Sequence, residues 1–304
     1  MTDLPHFVKA RDFLVCVDSD GCAMDTMDIK HERCFGPCMV EEWGLQPWAG
    51  PILARWNEIN LYTMTRGVNR FKGLAMALTE IDARYTPIEG LAEFRAWADT
   101  APELSNDGLA RALPGAAGPC MAKALSWSRK VNAAINALPE TAKRPFAGAA
   151  EGLAAAHGRA DVAVVSSANR EAVEEEWARC GLLDSVDVLC CQDAGSKAAC
   201  IARLLAKGYA PDHILMVGDA PGDKAAAEKN GVWFYPILVR HEAASWAELI
   251  DTALPRLLAG TYAPYGADCA DRFARNLGQG CRPAAGAAKH GKTKHRRRRA
   301  RAGG

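Results

Sequence analysis

The sequence predicts an α/β protein: a doubly wound, parallel, Rossmann-like sheet that carries an inserted α-helical domain. Short apolar segments alternate with helical segments over residues 146–240, which is typical of βαβ units. One more apolar segment lies near the N-terminus, and a long stretch with helical patterns separates it from the others. Because consecutive strands of such a sheet are neighbours in space, the first strand joins the later ones across this stretch.

The predicted strands are short and unbroken, and β-branched or aromatic residues are frequent in them, as in the buried strands of parallel sheets. They span residues 13–17, 162–165, 186–191, 214–217 and 232–239. Helical segments are predicted around and between them at residues 146–156, 170–180, 198–207 and 224–230. This alternation favours a sheet that is covered by helices on both faces.

The long insertion is predicted to be a separate helical domain over the carboxyl edge of the sheet, where open parallel sheets bind their ligands. In its first part, Trp48, Ile52, Trp56 and Ile59 recur every three or four residues, which indicates one buried helix face. The expected parts of the chain are an α/β core (1–26 and 146–265), a helical cap domain (27–145) and a basic, disordered C-terminal tail (266–304).

The first strand ends in two carboxylates and a glycine, Asp18-Ser19-Asp20-Gly21. In an extended chain, the side chains of residues i and i+2 point to the same side and lie about 6–7 Å apart. Like charges this close are unfavourable at the end of a buried strand unless a cation or a proton compensates them. We therefore expect a divalent metal and phosphate chemistry at this edge.

Polar groups suited to the same chemistry follow the later strands. Ser166 ends the second predicted strand, and Lys197 lies in the loop after the third. Asp219 and Asp223 follow the fourth. Because the carboxyl ends of parallel strands meet at one edge of the sheet, these four groups should lie close to the two carboxylates of the first strand.

These four segments resemble the motifs of the haloacid dehalogenase-like (HAD) superfamily of phosphohydrolases. The motifs occur in order as DSDGCAMDT, VAVVS, GSK and GDAPGD, and the resemblance covers most of residues 11–240. The insertion between the first two motifs is similar to the C1-type helical cap of that superfamily. The sequence departs from the pattern at Cys22, where Thr or Val is more common.

The resemblance implies a Mg²⁺-dependent phosphatase that acts on a small phosphorylated metabolite through an aspartyl-phosphate intermediate. Asp18 would be the nucleophile, and Asp20 would act first as a general acid and then as a general base. Mg²⁺ would be held by Asp18, by the backbone carbonyl of Asp20 and by Asp219, with Asp223 in a supporting position.

The phosphoryl oxygens would be bound by the groups that follow the second and third strands. Ser166 and Lys197 would donate to them, and Lys197 would also keep the nucleophile ionised. Ser167 is an alternative to Ser166 as the hydroxyl donor. Asn169 is either a further donor or the N-cap of the following helix.

Other functions remain open. A phosphomutase or a phosphonate hydrolase of the same superfamily fits the motifs, and a hydrolase that forms a Schiff base would need a lysine such as Lys30 or Lys72 near the substrate. Asp20 argues against a dehalogenase. A non-enzymatic phospho-receiver protein fits less well because it needs neither the insertion nor the carboxylate pair. The intact motifs also disfavour an inactive protein that only binds nucleic acid.

A polar, basic segment, TRGVNRFKG, interrupts the aromatic-rich part of the insertion. It contains Arg66, Arg70 and Lys72, which are either solvated loop residues or contacts to an anionic group of the substrate. An arginine is suited to the second role because its planar guanidinium binds carboxylate or phosphate in a bidentate way. These three residues are therefore candidate substrate-binding residues of the cap.

Composition limits the location and the cysteine chemistry. No run of 18 apolar residues occurs, and the N-terminus lacks the apolar segment of a secretory signal, so we expect a cytoplasmic protein without a membrane partner. The eleven cysteines are odd in number and are expected to be free thiols. Cys34 and Cys38 lack a second pair at a spacing that would complete a zinc site.

The C-terminus is strongly basic. Residues 282–304 contain nine Lys or Arg and no acid, while the remaining 28 basic residues face 36 acidic ones, which gives the rest of the chain a charge of −8. Lacking apolar side chains larger than Ala, the tail cannot bury enough surface to order itself. We expect weak, nonspecific binding to polyanions, with a small phosphorylated substrate as the main ligand of the protein.

Overall fold

The chain is built around a parallel sheet in the order β1-β4-β3-β2-β5-β6. The computed structural model describes residues 2–115 and 118–278. Each pair of neighbouring strands in this sheet is parallel, so the predicted fold class is confirmed. The strands are β1 (Thr2–Asp3), β2 (Leu14–Val17), β3 (Asp161–Val165), β4 (Val188–Cys190), β5 (Ile214–Gly218) and β6 (Trp233–Pro236).

Helices fill the insertion between β2 and β3 and alternate with the later strands. Those of the insertion are α1 (Met27–Lys30), α2 (Gly36–Trp43), α3 (Ala49–Asn57), α4 (Arg70–Arg84), α5 (Leu91–Thr100), α6 (Asn106–Ala112) and α7 (Pro119–Asn136). Those of the core are α8 (Ala149–His157), α9 (Arg170–Arg179), α10 (Lys197–Leu205), α11 (Pro221–Lys229), α12 (Glu242–Glu248), α13 (Leu254–Leu258) and α14 (Tyr262–Gly278). π-Helical segments occur at His31–Phe35, Glu58–Tyr62 and Leu249–Ala253, and 3₁₀ turns at Gln46–Trp48, Leu113–Gly115, Glu140–Ala142, Leu183–Ser185, Gln192–Ala194 and Pro211–His213.

Strand β2 lies in the middle of the sheet, between two strands that come much later in the chain. Leu14 is opposite Asp161 of β3 and Ile214 of β5. The chain continues from β3 to β4 on one side of β2 and from β5 to β6 on the other. A crevice therefore forms at the carboxyl end of β2, where the direction of the strand order changes.

The apolar residues of strands β2 to β5 alternate between two hydrophobic clusters, one on each face of the sheet. In β2, Val15 and Val17 belong to one cluster, and Leu14 and Cys16 belong to the other. All four side chains are fully buried. Both faces are covered, which is why the strands read as unbroken apolar runs in the sequence.

The helical insertion has a hydrophobic cluster of its own, drawn from residues 35–131. Ile52, Trp56 and Ile59 are buried in it, and Trp48 is half-buried against it, so the face predicted from the spacing of these residues is confirmed. Aromatic rings dominate its centre: the Trp56 and Trp127 rings meet edge to face at 6.0 Å, and Trp127 Nε1 donates to the Phe35 carbonyl at 3.1 Å.

The predicted tail begins too early. Residues 266–278 belong to α14, whose Cys269, Phe273 and Leu277 are buried against β6 and its surroundings. The Phe273 ring packs edge to face on Phe234 of β6 at 5.2 Å. An apolar residue at every fourth position lets the helix bury one face, and this burial stabilises the helix although most of its other residues are polar. Residues 279–304 lie outside the described part of the chain.

The cysteines of the described residues are free thiols, and most of them are buried. Cys16 of β2 and Cys190 of β4 lie in strands that β3 separates, and both belong to the same hydrophobic cluster. Among residues 2–115 and 118–278, every helix is too short or too polar to cross a lipid bilayer.

Candidate active site

The loop that follows β2 is folded tightly over the edge of the sheet. The Asp18 amide donates to the Val217 carbonyl of β5, and the Ser19 carbonyl accepts from the next turn, including the Ala23 amide at 3.0 Å. Ser19 Oγ accepts from Trp177 Nε1 at 2.9 Å. The loop is therefore fixed to the sheet and to α9 by buried hydrogen bonds.

Gly21 is the point where the loop turns, and only a glycine fits there. Its φ is +82°, and a Cβ atom would lie 2.5 Å from Asp219 Oδ2 and 2.6 Å from Arg66 Nη2. A side chain at this position would be strained and would displace two charged groups. The glycine thus lets the insertion and the sheet approach each other at the carboxyl edge.

Lys197 lies between two carboxylates at this edge. Its Nζ is 2.8 Å from Asp18 Oδ2 and 2.5 Å from Asp223 Oδ1. Lys197 is the first residue of α10, and Ser196 caps that helix by accepting from the Ala199 amide. The predicted lysine is therefore positioned by a helix N-terminus and reaches both the candidate nucleophile and its neighbour.

The charges of this group depend on one another. Burial raises the pKa of Asp18 well above its ordinary value, while the ammonium of Lys197 opposes the rise. Burial alone would lower the pKa of Lys197, but Asp18 and Asp223 together raise it above its ordinary value. Lys197 is therefore a fixed cation that favours an ionised Asp18.

Three of the four predicted metal residues come together. Asp18, Asp219 and Asp223 are buried, and one carboxylate oxygen from each lies within 4.8 Å of the others. Asp219 Oδ1 is buried and has no hydrogen-bond partner within the described residues, and burial raises the pKa of Asp219 to about 6. A hard divalent cation such as Mg²⁺ fits this oxygen-only cluster and would satisfy the unpaired oxygen.

The carboxylate of Asp20 points elsewhere. It accepts from Thr26 Oγ1 and, at 2.7 Å, from Lys30 Nζ of α1. Burial of Asp20 acts to raise its pKa, but the charge and hydrogen bond of Lys30 lead to a net lowering. A general acid needs the opposite shift, so in this arrangement Asp20 is a carboxylate rather than a proton donor.

Ser166 and Asn169 differ in how well they suit the phosphoryl group. Ser166 is buried at the end of β3 and its Oγ accepts from the Ala168 amide at 3.1 Å, whereas Ser167 is exposed. Asn169 is exposed, and its side chain caps α9 by accepting from the Ala172 amide at 3.2 Å. The structure thus uses Asn169 as the N-cap that the sequence left as an alternative.

The three candidates of the basic segment lie in different surroundings. Arg66 is buried, and its Nε is 2.7 Å from Asp219 Oδ2. Arg70 donates through Nη1 to Ser128 Oγ at 3.1 Å and to Asn132 Oδ1 at 2.6 Å. Lys72 is half-buried and makes no hydrogen bond or ion pair with another residue of the described ranges.

Two further residues near the site were not assigned to it from the sequence. The sequence indicates Lys30 only as a candidate Schiff-base lysine. Burial acts to lower the pKa of Lys30, but its pairing with Asp20 raises it. His31 accepts from Trp56 Nε1 at 3.2 Å, and burial, with the charge of Arg66 next, lowers its pKa to about 3. The adjacent Lys-His pair in a helical pattern was the available signal.

Comparison with known proteins identifies a family for part of the chain. Residues 117–237 match the family model "Haloacid dehalogenase-like hydrolase". The resemblance predicted from the motifs is confirmed over these residues, which contain Ser166, Lys197, Asp219 and Asp223 but not the segment of Asp18. No curated protein matches the chain significantly.

Solved structures that match the chain share little sequence with it. A haloacid dehalogenase-like hydrolase from Streptococcus pneumoniae is 12% identical, with a TM-score of 0.49, over 77% of this chain and 90% of that one. A predicted phosphatase from Clostridium acetobutylicum is 13% identical, with a TM-score of 0.44, over 75% of this chain and 85% of that one. A HAD-superfamily hydrolase of subfamily IA from Geobacter sulfurreducens is 16% identical, with a TM-score of 0.37, over 75% and 90%.

Proposed function

We propose that this chain, which matches the haloacid dehalogenase-like hydrolases over residues 117–237, is a Mg²⁺-dependent phosphatase of a small phosphorylated metabolite. One observation carries the proposal: Lys197 Nζ bridges Asp18 and Asp223 beside a third buried carboxylate, Asp219. This group combines a nucleophile, a fixed cation and an oxygen-only cation site at one edge of the sheet. Phosphoryl transfer depends mainly on positioning and on electrostatic stabilisation, and these three components supply both.

In the proposed reaction, a carboxylate oxygen of Asp18 attacks the phosphorus atom and the bond to the leaving oxygen breaks. The product is an aspartyl phosphate, which divides one difficult displacement into two easier ones. Lys197 holds the other oxygen of Asp18 and balances charge on the phosphoryl oxygens. Mg²⁺, held by Asp18, Asp219 and the Asp20 carbonyl with Asp223 in support, would screen the nucleophile from the anionic substrate.

Asp20 must carry a proton when the leaving group departs and must lose it when water attacks the aspartyl phosphate. Its ion pair with Lys30 favours the second state. Because Lys30 belongs to α1 of the insertion, a small movement of α1 away from Asp20 would raise the pKa of this carboxyl and prepare the first state. The hydrolysis half of the reaction is therefore the one that the present arrangement suits.

No observation favours an alternative function. A phosphonate hydrolase that forms a Schiff base needs an unprotonated amine, whereas Lys30 is paired with Asp20 and its pKa is raised. Lys72 makes no hydrogen bond or ion pair with a described residue that would hold it toward the site. A phosphomutase and a non-enzymatic phospho-receiver protein share the Asp18 chemistry and are separated from a phosphatase by experiment.

The test is phosphate release by the purified full-length protein with Mg²⁺, from an aryl phosphate and from a panel of phosphorylated metabolites. We expect many turnovers, loss of activity with EDTA, and recovery with added Mg²⁺. A single burst without turnover would indicate a receiver, and phosphoryl transfer to a second sugar phosphate rather than to water would indicate a mutase. Covalent trapping of a carbonyl substrate by borohydride would indicate a Schiff-base enzyme.

A further inference from the structure

Arg70 holds an unusual position in the insertion. It is the first residue of α4, and all its hydrogen bonds to described residues leave from Nη1, toward Ser128 and Asn132 of α7. Its guanidinium carbon lies 5.1 Å from the centre of the Phe35 ring. One side of the guanidinium is thus anchored to α7 and one face is covered by an aromatic ring, which fixes the direction of the remaining N–H groups.

Arg70 also lacks a counter-ion within the described part of the chain. The neighbouring cations are matched, since Lys30 pairs with Asp20 and Arg66 pairs with Asp219. No carboxylate of residues 2–115 and 118–278 lies within ion-pair distance of Arg70. Burial lowers the pKa of Arg70 without any charge that offsets this effect. A guanidinium remains charged in proteins, and a partly buried charge without a counter-ion is unfavourable.

The position of Arg70 relative to the reacting atoms follows from Phe35. The Phe35 ring stacks on His31 at 4.5 Å, and His31 follows Lys30, whose Nζ is 2.7 Å from Asp20. The charge of Arg70 also contributes to lowering the pKa of His31. Arg70 therefore lies on the insertion side of the site, beyond the carboxylate that would protonate the leaving group.

We propose that Arg70 binds a second oxyanion of the substrate, located on the leaving group. Resting on the phosphatase function proposed above, this inference names the substrate class as a phosphate monoester whose alcohol part carries a carboxylate or another phosphate. Nη2 and Nε of Arg70 offer the planar pair of donors that such a group accepts. The lowered pKa of His31 keeps its imidazole neutral, so the charge that faces the Phe35 ring is the one of Arg70.

The test compares stable phosphonates by titration calorimetry with excess Mg²⁺: methylphosphonate, phosphonoacetate, 3-phosphonopropionate and methylenebisphosphonate. We expect at least one probe with a second oxyanion to bind the wild type about 10–100-fold more tightly than methylphosphonate. Comparing the two carboxylate probes with the bisphosphonate shows whether Arg70 prefers a carboxylate or a second phosphate. In Arg70→Met this advantage should fall to about twofold, and Arg70→Lys should retain part of it because it keeps the charge but not the fork.

The matched control is Arg84→Met, at the other end of the same helix, where the side chain is 64% exposed. It should keep the full advantage of the second oxyanion. If Arg70→Met does not fold, the wild type is tested instead: its kcat/KM is compared between monoesters with an anionic leaving group and monoesters with a neutral one. The anionic leaving group should give the higher value. Equal binding of all phosphonates by the wild type, or an advantage that survives in Arg70→Met, overturns the inference while phosphate release continues. Absence of phosphate release from every monoester overturns the proposed function and this inference with it.

Discussion

Arg66 Nε lies 2.7 Å from Asp219 Oδ2, and both side chains are almost completely buried, at 2% and 1% exposure. The guanidinium is also fixed by its Nη1, which donates to the Leu61 carbonyl at 2.8 Å. Asp219 belongs to the carboxylate cluster at the same time. Asp219 therefore has two roles. It holds the helical insertion against the sheet through Arg66, and it contributes negative charge to the candidate metal site.

Replacing Arg66 by Met should reduce stability and increase the response to Mg²⁺. Removing one partner of a buried ion pair costs about 3–5 kcal/mol, because the other charge is left uncompensated. In the variant, Lys197 is the remaining buried counter-ion of the three clustered carboxylates among the described residues, so a bound divalent cation compensates more charge than in the wild type. Differential scanning fluorimetry with and without Mg²⁺ should show a larger Mg²⁺-dependent rise in Tm for Arg66→Met.

The control for this experiment is Arg55→Met, which removes an ion pair of the insertion that is far more exposed. Exposed pairs contribute about 0–1 kcal/mol, so its Tm should change little and its Mg²⁺ response should equal that of the wild type. If the Mg²⁺-dependent rise in Tm is the same in Arg66→Met as in the wild type, Arg66 is not coupled to the cation site.

Asp18→Asn should abolish turnover and leave the fold intact. The amide keeps the shape of the side chain but is a much poorer nucleophile, so kcat should fall by at least about 10³-fold. The measurement is phosphate release at saturating substrate, with circular dichroism to confirm folding. Asp12→Asn is the matched control before the same strand, since the Asp12 side chain is 83% exposed. Retention of more than a few per cent of activity in Asp18→Asn would falsify the aspartyl-phosphate mechanism.

The ion pair of Lys30 and Asp20 should make stability depend on pH. A carboxyl whose pKa is lowered in the folded state stabilises the fold above its unfolded pKa, and this contribution disappears as the pH falls through the folded-state value. The pKa of Asp20 is lowered in this sense. The Tm difference between wild type and Lys30→Met should therefore be largest above about pH 4 and should shrink on further acidification.

Titration of Lys30 itself does not affect the Tm in the acidic range of this experiment. A lysine with a raised pKa loses its stabilising effect only at alkaline pH, above the range of the measurement. Lys9→Met serves as control, because its pair with Asp12 is long, at 3.6 Å, and exposed on the Asp12 side. A Tm difference for Lys30→Met that is constant between pH 3 and pH 6 would contradict the assigned role of Lys30.

Deletion of residues 282–304 should separate polyanion binding from catalysis. This segment carries nine basic residues and no acid, and none of the residues proposed for the reaction lies in it. Phosphate release from the preferred substrate should be nearly unchanged, while retention on a nucleic-acid column at low salt should be lost. In the full-length protein this retention should weaken steeply with salt, as expected for counter-ion release. A large fall in kcat on deletion would mean that the tail contributes to the active site.

Features encoded by neighbouring residues could be predicted from the sequence. The strands ending at Val17 and Gly218 follow from unbroken apolar runs, and the polar groups after them come together because parallel strands end at one edge. The helix face of Ile52, Trp56 and Ile59 likewise depends on a local repeat. Such patterns survive folding because each is fixed by the geometry of one element.

Contacts between distant segments could not be predicted. Nothing around Arg66 indicates that its partner is Asp219 rather than the substrate, since the two lie 153 positions apart. The two-residue strand β1 is too short to leave a pattern. The C-terminal end of the core could have been predicted from the sequence. Cys269, Phe273 and Leu277 repeat every four residues, as in a helix that buries one face. The boundary at residue 266 is placed too early because the basic residues farther on were given more weight than this repeat.

The central place of β2 in the sheet has a consequence for the newly synthesised chain. Strand β2 leaves the ribosome early, but its neighbours at Asp161 and Ile214 follow much later. With about 5–20 residues added per second, roughly 200 residues of translation leave β2 without its second neighbour for about 10–40 s. The insertion's own hydrophobic cluster, drawn from residues 35–131, is complete long before that. Both edges of β2 thus stay unpaired while the helices of the insertion already exist, and the clustered carboxylates can come together only after Asp223 has been made.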